Sequence, residues 1–355
     1  MPKAKKPKIL IMDIFWNDTH NDATFIGGGQ KMILKFYELL KKDYDISILT
    51  SQKFLLEKAQ KLGIKTISLY YPKDKISQEL EKIKEDIKKY DILIINNQLA
   101  RDLHPNTVLW VHADYFSLCT KPEIEAWTEF AKNPNVKYIV FVSEPIKDSI
   151  ASKGNLPVEK LKVIPNWIEK LEPKPKAYNE NFRVAWVGTL KPDKDWQELS
   201  QTLKGTDIDV DFLGNGRDLV FAKELKELKP RLFAHQHFLG FVEDPIGYMK
   251  EHSSVFVFTS KAKFEALPLS LLEAMSIGIP CIAYRSDITK YVLGEDGLFY
   301  NTKEELKDII FRLKADKTFY EQNANYSLER AKLFHKDRIK DMWEEIFKKH
   351  LTNEK

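Results

Sequence analysis

The chain has 355 residues, of which 43% are hydrophobic, and its 56 basic and 52 acidic residues give a net charge of +4. This length and apolar content allow two packed domains. So small a charge surplus gives no reason to expect a nucleic-acid partner, and no apolar run is long enough to span a bilayer. The two cysteines, Cys119 and Cys281, are far apart and match no metal spacing. We therefore expect a cytoplasmic protein, whose lysine-rich surface permits peripheral contact with an anionic membrane face.

Short apolar runs alternate with longer amphipathic runs along the chain. The runs rich in Ile, Val and aromatic residues predict strands. They form a first series, Ile9–Ile14, Ile46–Leu49, Thr66–Leu69, Ile92–Ile95, Val108–Val111 and Tyr138–Val142, and a second, Val184–Val187, Val210–Leu213, Val255–Phe258 and Cys281–Tyr284. The predicted helices include Gln30–Lys42, Ser77–Lys89, Asp218–Leu228, Leu269–Ile277 and Arg338–Leu351. This alternation predicts an α/β fold with two parallel sheets flanked by helices.

A stretch with several prolines, Pro165–Pro175, separates the two series. It predicts an N-terminal Rossmann-like domain over residues 1–167 and a C-terminal one over 168–335. Residues 336–355 would form a last helix that packs back on the first domain. Ligands of open parallel sheets bind beyond the carboxyl ends of the strands, so two such sheets facing across a cleft would place their chemistry in the loops that follow strands.

Two loops of the first domain are candidates. Gly27–Gly29 follows a long loop, residues 15–26, and precedes a helix, where glycines and free N–H groups could hold a phosphate. The spacing is not a dinucleotide fingerprint and lacks the lysine of a P-loop, so a flexible turn stays open as the alternative. His112 follows a strand and could contact a substrate hydroxyl, or be hydrogen-bonded within the structure.

Two further loops belong to the second domain. Lys194, in the loop after Val187, could lie against a diphosphate, or belong to a solvated turn. Gly214 and Gly216 suit a tight strand-to-helix connection, and the structural interpretation of them is the safer one.

The loop after Phe258 carries the most informative pair of residues. Glu265 lies in the loop before a predicted helix, and Glu273 lies within that helix, in an apolar setting where a carboxylate needs a partner. Because a carboxylate can accept two hydrogen bonds at once, the pair could hold a ribose and a sugar, with the helix start near the phosphates between them.

At these residues the sequence resembles the GT-B glycosyltransferases of family 4, which have a signature of two glutamates separated by seven residues. The resemblance extends over most of the chain through an ordered set of short words. They are Gly27–Gly29, His112, Val142–Ser143, Val163–Asn166, Val187–Gly188, Leu213–Gly216, Phe238–Phe241, Phe264–Leu269, Leu272–Met275 and Gly278–Pro280.

The resemblance implies a retaining transferase that uses a nucleotide-diphosphate sugar and needs no cofactor or bound metal. The catalytic residues would be Glu265, near the reacting carbon, and His112, beside the donor sugar. Glu273 would bind the ribose and Lys194 the diphosphate. The full implied donor-binding set is Gly28, Gly29, Gly188, Thr189, Lys194, Gly214, Leu267, Leu269 and Glu273.

One departure from the family concerns the diphosphate. The family usually has arginine after the glycine where this chain has Thr189, which carries no charge. Lys191 or Arg217 could compensate. The missing arginine keeps a non-catalytic sugar-nucleotide-binding subunit open as an alternative, and the fold class alone also allows a nucleotide-sugar 2-epimerase.

We expect a glycan or lipid-linked acceptor, bound mainly by the first domain. The candidate contacts lie around residues 16–25 and 112–120, where Trp16, Phe25, Tyr115 and Phe116 would suit stacking on a sugar ring or could simply belong to the core.

Overall fold

The structure is a computed structural model that describes residues 5–14, 27–69, 75–96, 101–117, 119–216, 218–262 and 265–351. The chain divides into two compact units. The first contains Met1–Asn166 and Ile339–Lys355, and the second contains Trp167–Arg338. Each unit has a parallel sheet with helices, which confirms the α/β fold predicted from the alternating pattern.

The first unit is built on a sheet of seven described strands in the order β3-β2-β1-β4-β5-β6-β7. The strands are β1 (Lys8–Asp13), β2 (Asp45–Thr50), β3 (Lys65–Ser68), β4 (Ile92–Ile95), β5 (Thr107–Val111), β6 (Val136–Phe141) and β7 (Leu161–Val163). The helices are α1 (Gly28–Leu40), α2 (Lys53–Lys61), α3 (Ile76–Lys82), α4 (Lys84–Ile87), α5 (Lys121–Lys132) and α6 (Glu144–Gly154).

Strand β1 is the centre of this sheet, and its residues explain why. Ile9, Leu10, Ile11 and Met12 are fully buried, as expected for a parallel strand covered on both faces. It pairs with β2 on one side and with β4 on the other. The strand order therefore reverses between β1 and β4, and this reversal is where an open parallel sheet forms a crevice at its carboxyl edge.

The second unit has a sheet of six described strands in the order β10-β9-β8-β11-β12-β13. The strands are β8 (Arg183–Val187), β9 (Asp209–Leu213), β10 (Gln236–Gly240), β11 (Val255–Phe258), β12 (Cys281–Tyr284) and β13 (Leu298–Tyr300). The helices are α7 (Trp196–Thr202), α8 (Leu219–Leu228), α9 (Pro230–Phe233), α10 (Pro245–His252), α11 (Leu269–Ser276), α12 (Asp287–Leu293), α13 (Lys303–Ala315) and α14 (Lys317–Ala331).

The order reverses in this sheet too, between β8 and β11. These two strands are adjacent although β9 and β10 lie between them in the chain. The loops that follow β8 and β11 therefore start side by side at the carboxyl edge, which is the arrangement on which the candidate site of this unit depends.

A last helix, α15 (Lys336–Leu351), crosses the boundary between the two units, and its residues from Ile339 onward belong to the first. Trp343 is fully buried there, with its ring 5.1 Å from the rings of both Phe36 and Trp110. Phe347 packs 6.2 Å from Phe36. Aromatic burial thus fixes this helix in the core of the first unit. None of the helices in the described part of the chain is long and apolar enough to cross a bilayer.

The sequence-based prediction failed at three strands and one helix. It missed β7, β10 and β13, and it predicted one helix over Ser77–Lys89 where the structure has α3 and α4 with a break at Ile83 (φ −101°, ψ 6°). The missed strands β7 and β13 have only three residues each, and β10 is an edge strand that begins with the polar residues Gln236 and His237. None of them contains a run of four apolar residues, and the shortest predicted strand has four residues.

The packing of Trp343 generates a stability prediction. We expect Trp343→Ala to lower the free energy of unfolding by about 3–5 kcal/mol, because it leaves a cavity among large aromatic rings. Trp343→Phe keeps an aromatic ring against Phe36 and should cost less than about 2 kcal/mol. Urea denaturation of the two variants would measure this, and equal losses would contradict the aromatic cluster as the source of stability.

Candidate functional site

The carboxyl edge of the second sheet brings Lys194 and Glu265 together. Lys194 ends a short 3-10 turn, Pro192–Lys194, after β8, and Glu265 lies in the loop between β11 and α11. The Lys194 ammonium donates directly to Glu265 Oε1. Ser260 Oγ donates to the same oxygen at 3.0 Å. The side chains of Lys194 and Glu265 are 22% and 16% exposed, so the ion pair is largely removed from bulk water.

A chain of hydrogen bonds holds the two loops in register beneath this pair. Trp186 Nε1, on β8, donates to Thr259 Oγ1 at 2.8 Å, and Thr259 Oγ1 donates to the Lys194 carbonyl at 2.8 Å. Both Trp186 and Thr259 are buried. Asp195 accepts from the Lys261 backbone N–H at 3.0 Å. Side chains of one loop therefore bind the backbone of the other, which fixes where the ion pair lies.

Glycines allow the loops after β8 and β9 to approach each other more closely than any side chain would permit. A Cβ at Gly214, where φ is +151°, would lie 1.7 Å from the Gly188 carbonyl oxygen. A Cβ at Gly216 would lie 2.1 Å from the Leu190 carbonyl oxygen. Gly214 and Gly216 are thus required by a tight backbone connection. The donor contacts expected of Gly188 and Gly214 stay predictions.

Helix α11 positions the remaining predicted donor contacts. As expected, Glu265 precedes the helix and Glu273 lies inside it. Leu267 is buried, whereas Leu269 and Glu273 are half-buried. Glu273 lies between the fully buried Leu272 and Ala274, so its own chain neighbours on the helix belong to the apolar core.

The residues near Thr189 include the two basic candidates that could replace the missing arginine at a diphosphate. Thr189 is half-buried. Lys191, one candidate for compensation, forms an ion pair with Asp193 at 2.9 Å. The other candidate, Arg217, lies outside the described residues. In the described part of these loops, Lys261 likewise pairs with Glu198 at 2.9 Å.

The first unit has a polar cluster of its own at the switch point between β1 and β4. Asp13 ends β1 and is fully buried, and its carboxylate accepts from Asn96 Nδ2 at 2.9 Å and from Gln30 Nε2 at 3.4 Å. Burial raises the pKa of Asp13 to about 6, although both hydrogen bonds lower it. This cluster was not among the predicted site residues. The signal that could have found it is a charged residue at the end of an otherwise apolar central strand.

His112 and Gly29 adjoin this cluster. A Cβ at Gly29 would lie 3.6 Å from the His112 ring and 3.7 Å from Asn96 Nδ2. The His112 ring packs 4.4 Å from the ring of Trp110. Burial lowers the pKa of His112 to about 3, so its imidazole is neutral at physiological pH. Among the described residues, no partner hydrogen-bonds to its buried Nε2. A neutral imidazole with a nitrogen to spare suits a hydroxyl partner.

Two of the four aromatic residues proposed for acceptor stacking lie within the described residues, and they differ in burial. Phe116 is a core residue, buried with its ring 5.6 Å from that of Trp127. Tyr115 is half-buried next to the histidine. Trp16 and Phe25 fall outside the described ranges.

Within the described ranges, no group of three or more His, Cys, Asp or Glu residues is arranged to hold a metal ion.

The two units match solved structures over nearly their whole length. The chain is similar to HepE from Anabaena in complex with UDP, at 18% identity over 96% of this chain and 100% of that chain, with a TM-score of 0.80. It is similar to the lipopolysaccharide outer core galactosyltransferase WaaB, at 16% identity over 96% and 99%, with a TM-score of 0.69. It is also similar to sucrose-phosphate synthase from Thermosynechococcus elongatus, at 14% identity over 97% of this chain and 99% of that chain, with a TM-score of 0.73. These similarities show that the fold is GT-B.

Sequence comparison matches part of the chain to a family. Residues 168–330, which lie within the second unit, match the model of the family described as glycosyl transferases group 1. A shorter match, 37% identical over 90 residues, links 23% of this chain to 9% of an exopolysaccharide phosphotransferase from Streptomyces coelicolor. The chain therefore has the GT-B fold, and its second unit resembles the glycosyl transferases group 1.

The raised pKa of Asp13 makes the stability of the first unit depend on pH. The folded chain binds the Asp13 proton more tightly than the unfolded chain does, so the free energy of unfolding falls as pH rises from about 4 to about 6. The Asp13→Asn variant has no carboxyl group at this position, so its free energy of unfolding does not undergo this fall. The stability of the variant relative to the parent should therefore increase by roughly 2 kcal/mol between about pH 4 and pH 7.

Urea denaturation of both proteins across this pH range would measure the difference. Asp86→Asn is a suitable control, since Asp86 is an exposed aspartate of the same unit with its side chain 65% exposed. A difference between Asp13→Asn and the parent that does not change with pH would show that Asp13 is ionised equally in both states.

Proposed function

We propose that the protein is a retaining glycosyltransferase that moves a sugar from a nucleotide-diphosphate sugar to a hydroxyl of a glycan or lipid-linked acceptor. The observation that carries this proposal is the cluster of Lys194, Glu265 and Ser260 at the carboxyl edge of the second sheet, inside the region that matches the family. The similarity to HepE, which has been solved in complex with UDP-glucose, supports a nucleotide-sugar donor.

Lys194 would bind the diphosphate. An ammonium group has three N–H donors, so Lys194 can keep Glu265 and still donate to a phosphate oxygen. Negative charge grows on the diphosphate as it leaves, and a fixed cation aimed at it lowers the barrier. We propose that this protein charge serves in place of a bound metal ion and that no other cofactor takes part.

Glu265 would contact the donor sugar near the reacting carbon. Both of its described hydrogen bonds fall on Oε1, so Oε2 can accept from a sugar hydroxyl. Ser260 and Lys194 fix the direction of the carboxylate before the donor binds, and such pre-orientation is itself a source of rate. In the mechanism suggested by family resemblance, the leaving phosphate takes the acceptor proton, and the sugar keeps its anomeric configuration.

The other predicted contacts complete the donor site in this proposal. Glu273 would accept from the two ribose hydroxyls, with Leu267, Leu269 and Thr189 beside the nucleotide. Gly28 and Gly29 begin α1 with no side chain to obstruct a phosphate, and His112 would share a hydrogen bond with the donor sugar. The first unit would hold the acceptor. Cys119 and Cys281 are not joined in a disulfide, which is consistent with the cytoplasmic location that we propose.

A substitution at Glu265 tests the proposal most directly. Glu265→Gln keeps the size of the side chain but removes its charge, so we expect the fold to persist and kcat/KM to fall by about a hundredfold or more. Transfer would be measured with radiolabelled nucleotide sugars and a panel of glycan and lipid-linked acceptors. Glu295→Gln, whose exposed glutamate belongs to the same unit, should behave as the parent.

Two outcomes would contradict the proposal. Transfer by Glu265→Gln at the parent's rate would remove Glu265 from the reaction. Conversion of the nucleotide sugar by the parent without any acceptor, to a product with an inverted sugar carbon, would indicate an epimerase.

Lys194 gives a separate prediction about the diphosphate. We expect Lys194→Gln to lower kcat by about 10²–10³-fold, the usual effect of removing one donor to a developing charge. Lys191→Gln removes the lysine just before the same turn, which is paired with Asp193, so it should have a much smaller effect. Assays with EDTA should leave the parent's rate unchanged, and a chelator-dependent loss of activity restored by a divalent cation would show that a metal shares this role.

A further inference from the structure

Asp13 makes two hydrogen bonds that the donor chemistry proposed above does not use. Its Oδ2 accepts from Gln30 Nε2 at 3.4 Å, and its Oδ1 accepts from Asn96 Nδ2 at 2.9 Å. All three side chains are buried. Each oxygen of the carboxylate therefore orients one amide group at the carboxyl edge of the first sheet.

The Gln30 amide connects this carboxylate to the start of α1. Its Oε1 accepts from the backbone N–H of Gly27, the residue that caps the helix, at 3.0 Å. A Cβ at Gly27 would lie only 2.8 Å from the same oxygen, so the glutamine side chain is folded closely against the turn. Gln30 thus donates to Asp13 with one end of its amide and accepts from Gly27 with the other.

The glycine turn held in this way has N–H groups to offer a ligand. The first N–H groups of a helix have no partner inside the helix, and in the described part of the chain those of Gly28 and Gly29 have no partner outside it. The Asn96 amide also adjoins this turn, since a Cβ at Gly29 would lie 3.7 Å from Asn96 Nδ2. Both of the amides that Asp13 orients therefore border the groups proposed to receive the diphosphate.

The charge of Asp13 decides which way the two amides point. An ionised carboxylate can only accept hydrogen bonds, so each amide must turn its NH₂ group toward it, and the oxygen of Gln30 is then left for Gly27. A protonated carboxyl has an O–H to donate, so one amide must turn its oxygen toward Asp13 instead. Either rotation changes a contact with the glycine turn.

The other titratable groups near this cluster keep their charge while Asp13 titrates. Burial raises the pKa of Asp13 to about 6. Burial lowers the pKa of His112 to about 3, so its imidazole is already neutral. Burial, and to a smaller extent the charge of Asp13, raise the pKa of Tyr115, so its phenol stays protonated. Among these three groups, Asp13 is the one that changes charge between about pH 5 and pH 7.

We propose that Asp13 is a positioning residue of the donor site, which in its ionised form orients two amide side chains so that the Gly27–Gly29 turn receives the diphosphate. The inference rests on the proposed function, because it takes this turn as part of the donor site. Asp13 acts through its amide partners and does not touch the substrate.

Nuclear magnetic resonance of the full chain tests the orientation of the turn without any ligand. With ¹⁵N-glycine labelling, the 14 glycines give one backbone signal each. We expect the signal of Gly27 or Gly29 in the parent to shift with a midpoint near pH 6, and this shift to be absent in Asp13→Asn, which has no charge to lose. Signals that do not titrate in the parent, or that titrate equally in the variant, would overturn the proposal.

Calorimetric binding of nucleotide sugars tests the role of Asp13 at the donor. A panel of UDP-, GDP-, ADP- and dTDP-sugars is suitable, because their diphosphates carry no proton that titrates near pH 6, unlike the free nucleotides. We expect the dissociation constant of the parent for its best ligand to rise about tenfold from about pH 8 to about pH 5, the effect of one hydrogen bond. Asp13→Asn should bind about tenfold more weakly than the parent at the higher pH and change little with pH.

Two further variants separate positioning from loss of stability. Gln30→Met keeps the size of the side chain without its hydrogen bonds, and its loss of affinity should combine with that of Asp13→Asn to less than their product, because both break one chain of contacts. Thr107→Val removes a buried hydrogen bond at the start of β5, from Thr107 Oγ1 to the His104 carbonyl at 2.8 Å, and should bind as the parent does.

The outcomes distinguish this inference from the proposed function. If the glycine signals titrate and no nucleotide sugar binds, the proposed function fails, and the donor role of Asp13 fails with it. If a nucleotide sugar binds the parent and Asp13→Asn equally, the donor site stands and the role of Asp13 is wrong. Tighter binding by Asp13→Asn would also overturn the proposal, since the carboxylate would then act only by repelling the diphosphate. A loss in Thr107→Val as large as that in Asp13→Asn would show a general effect of destabilisation.

Discussion

The contact between Lys194 and Glu265 is the interaction on which the second unit's site depends. Two largely buried charges are costly unless each compensates the other and their remaining hydrogen-bonding atoms are satisfied. The sheet meets this demand because β8 and β11 are adjacent, so that the loops after them begin side by side. Trp186 and Thr259 then tie one loop to the backbone of the other. The order of the strands in the sheet therefore determines where the charged side chains of Lys194 and Glu265 meet.

The two units place their polar groups at equivalent points of their sheets, but the groups differ in chemistry. Each gathers polar groups where the strand order reverses, at the carboxyl ends of neighbouring strands. In the first unit burial makes the His112 imidazole neutral, and it raises the pKa of Asp13 to about 6, so that carboxylate is still mostly ionised at pH 7. In the second unit the groups are an ion pair. A neutral imidazole suits a sugar hydroxyl and a fixed cation suits a diphosphate, which agrees with the division of roles that we propose.

Sequence reasoning reached the parts of the structure that depend on local apolar runs. It placed Glu265 in a loop and Glu273 in a helix, because the strand before them and the glycine after them are visible in the sequence. It missed β10, whose polar residues are tolerated at a sheet edge, and the partners of Asp13. Asn96 is 83 positions from Asp13 and is brought to it only by the pairing of β1 with β4. Contacts that depend on strand order cannot be read from local patterns.

The threonine at position 189 has a consequence that follows from the charges around it. An arginine at that position would offer a diphosphate a planar fork of donors, whereas the described lysines of these loops each face a carboxylate: Lys191 faces Asp193, Lys194 faces Glu265 and Lys261 faces Glu198. Of these three, Lys194 alone pairs with a residue assigned to the donor. A lysine is a point charge with little directional preference. The orientation of the donor would therefore depend less on contacts to the diphosphate and more on contacts to its ribose and its sugar. In the proposed mechanism, Glu273 at the ribose and Glu265 at the sugar therefore set the position of the diphosphate between them.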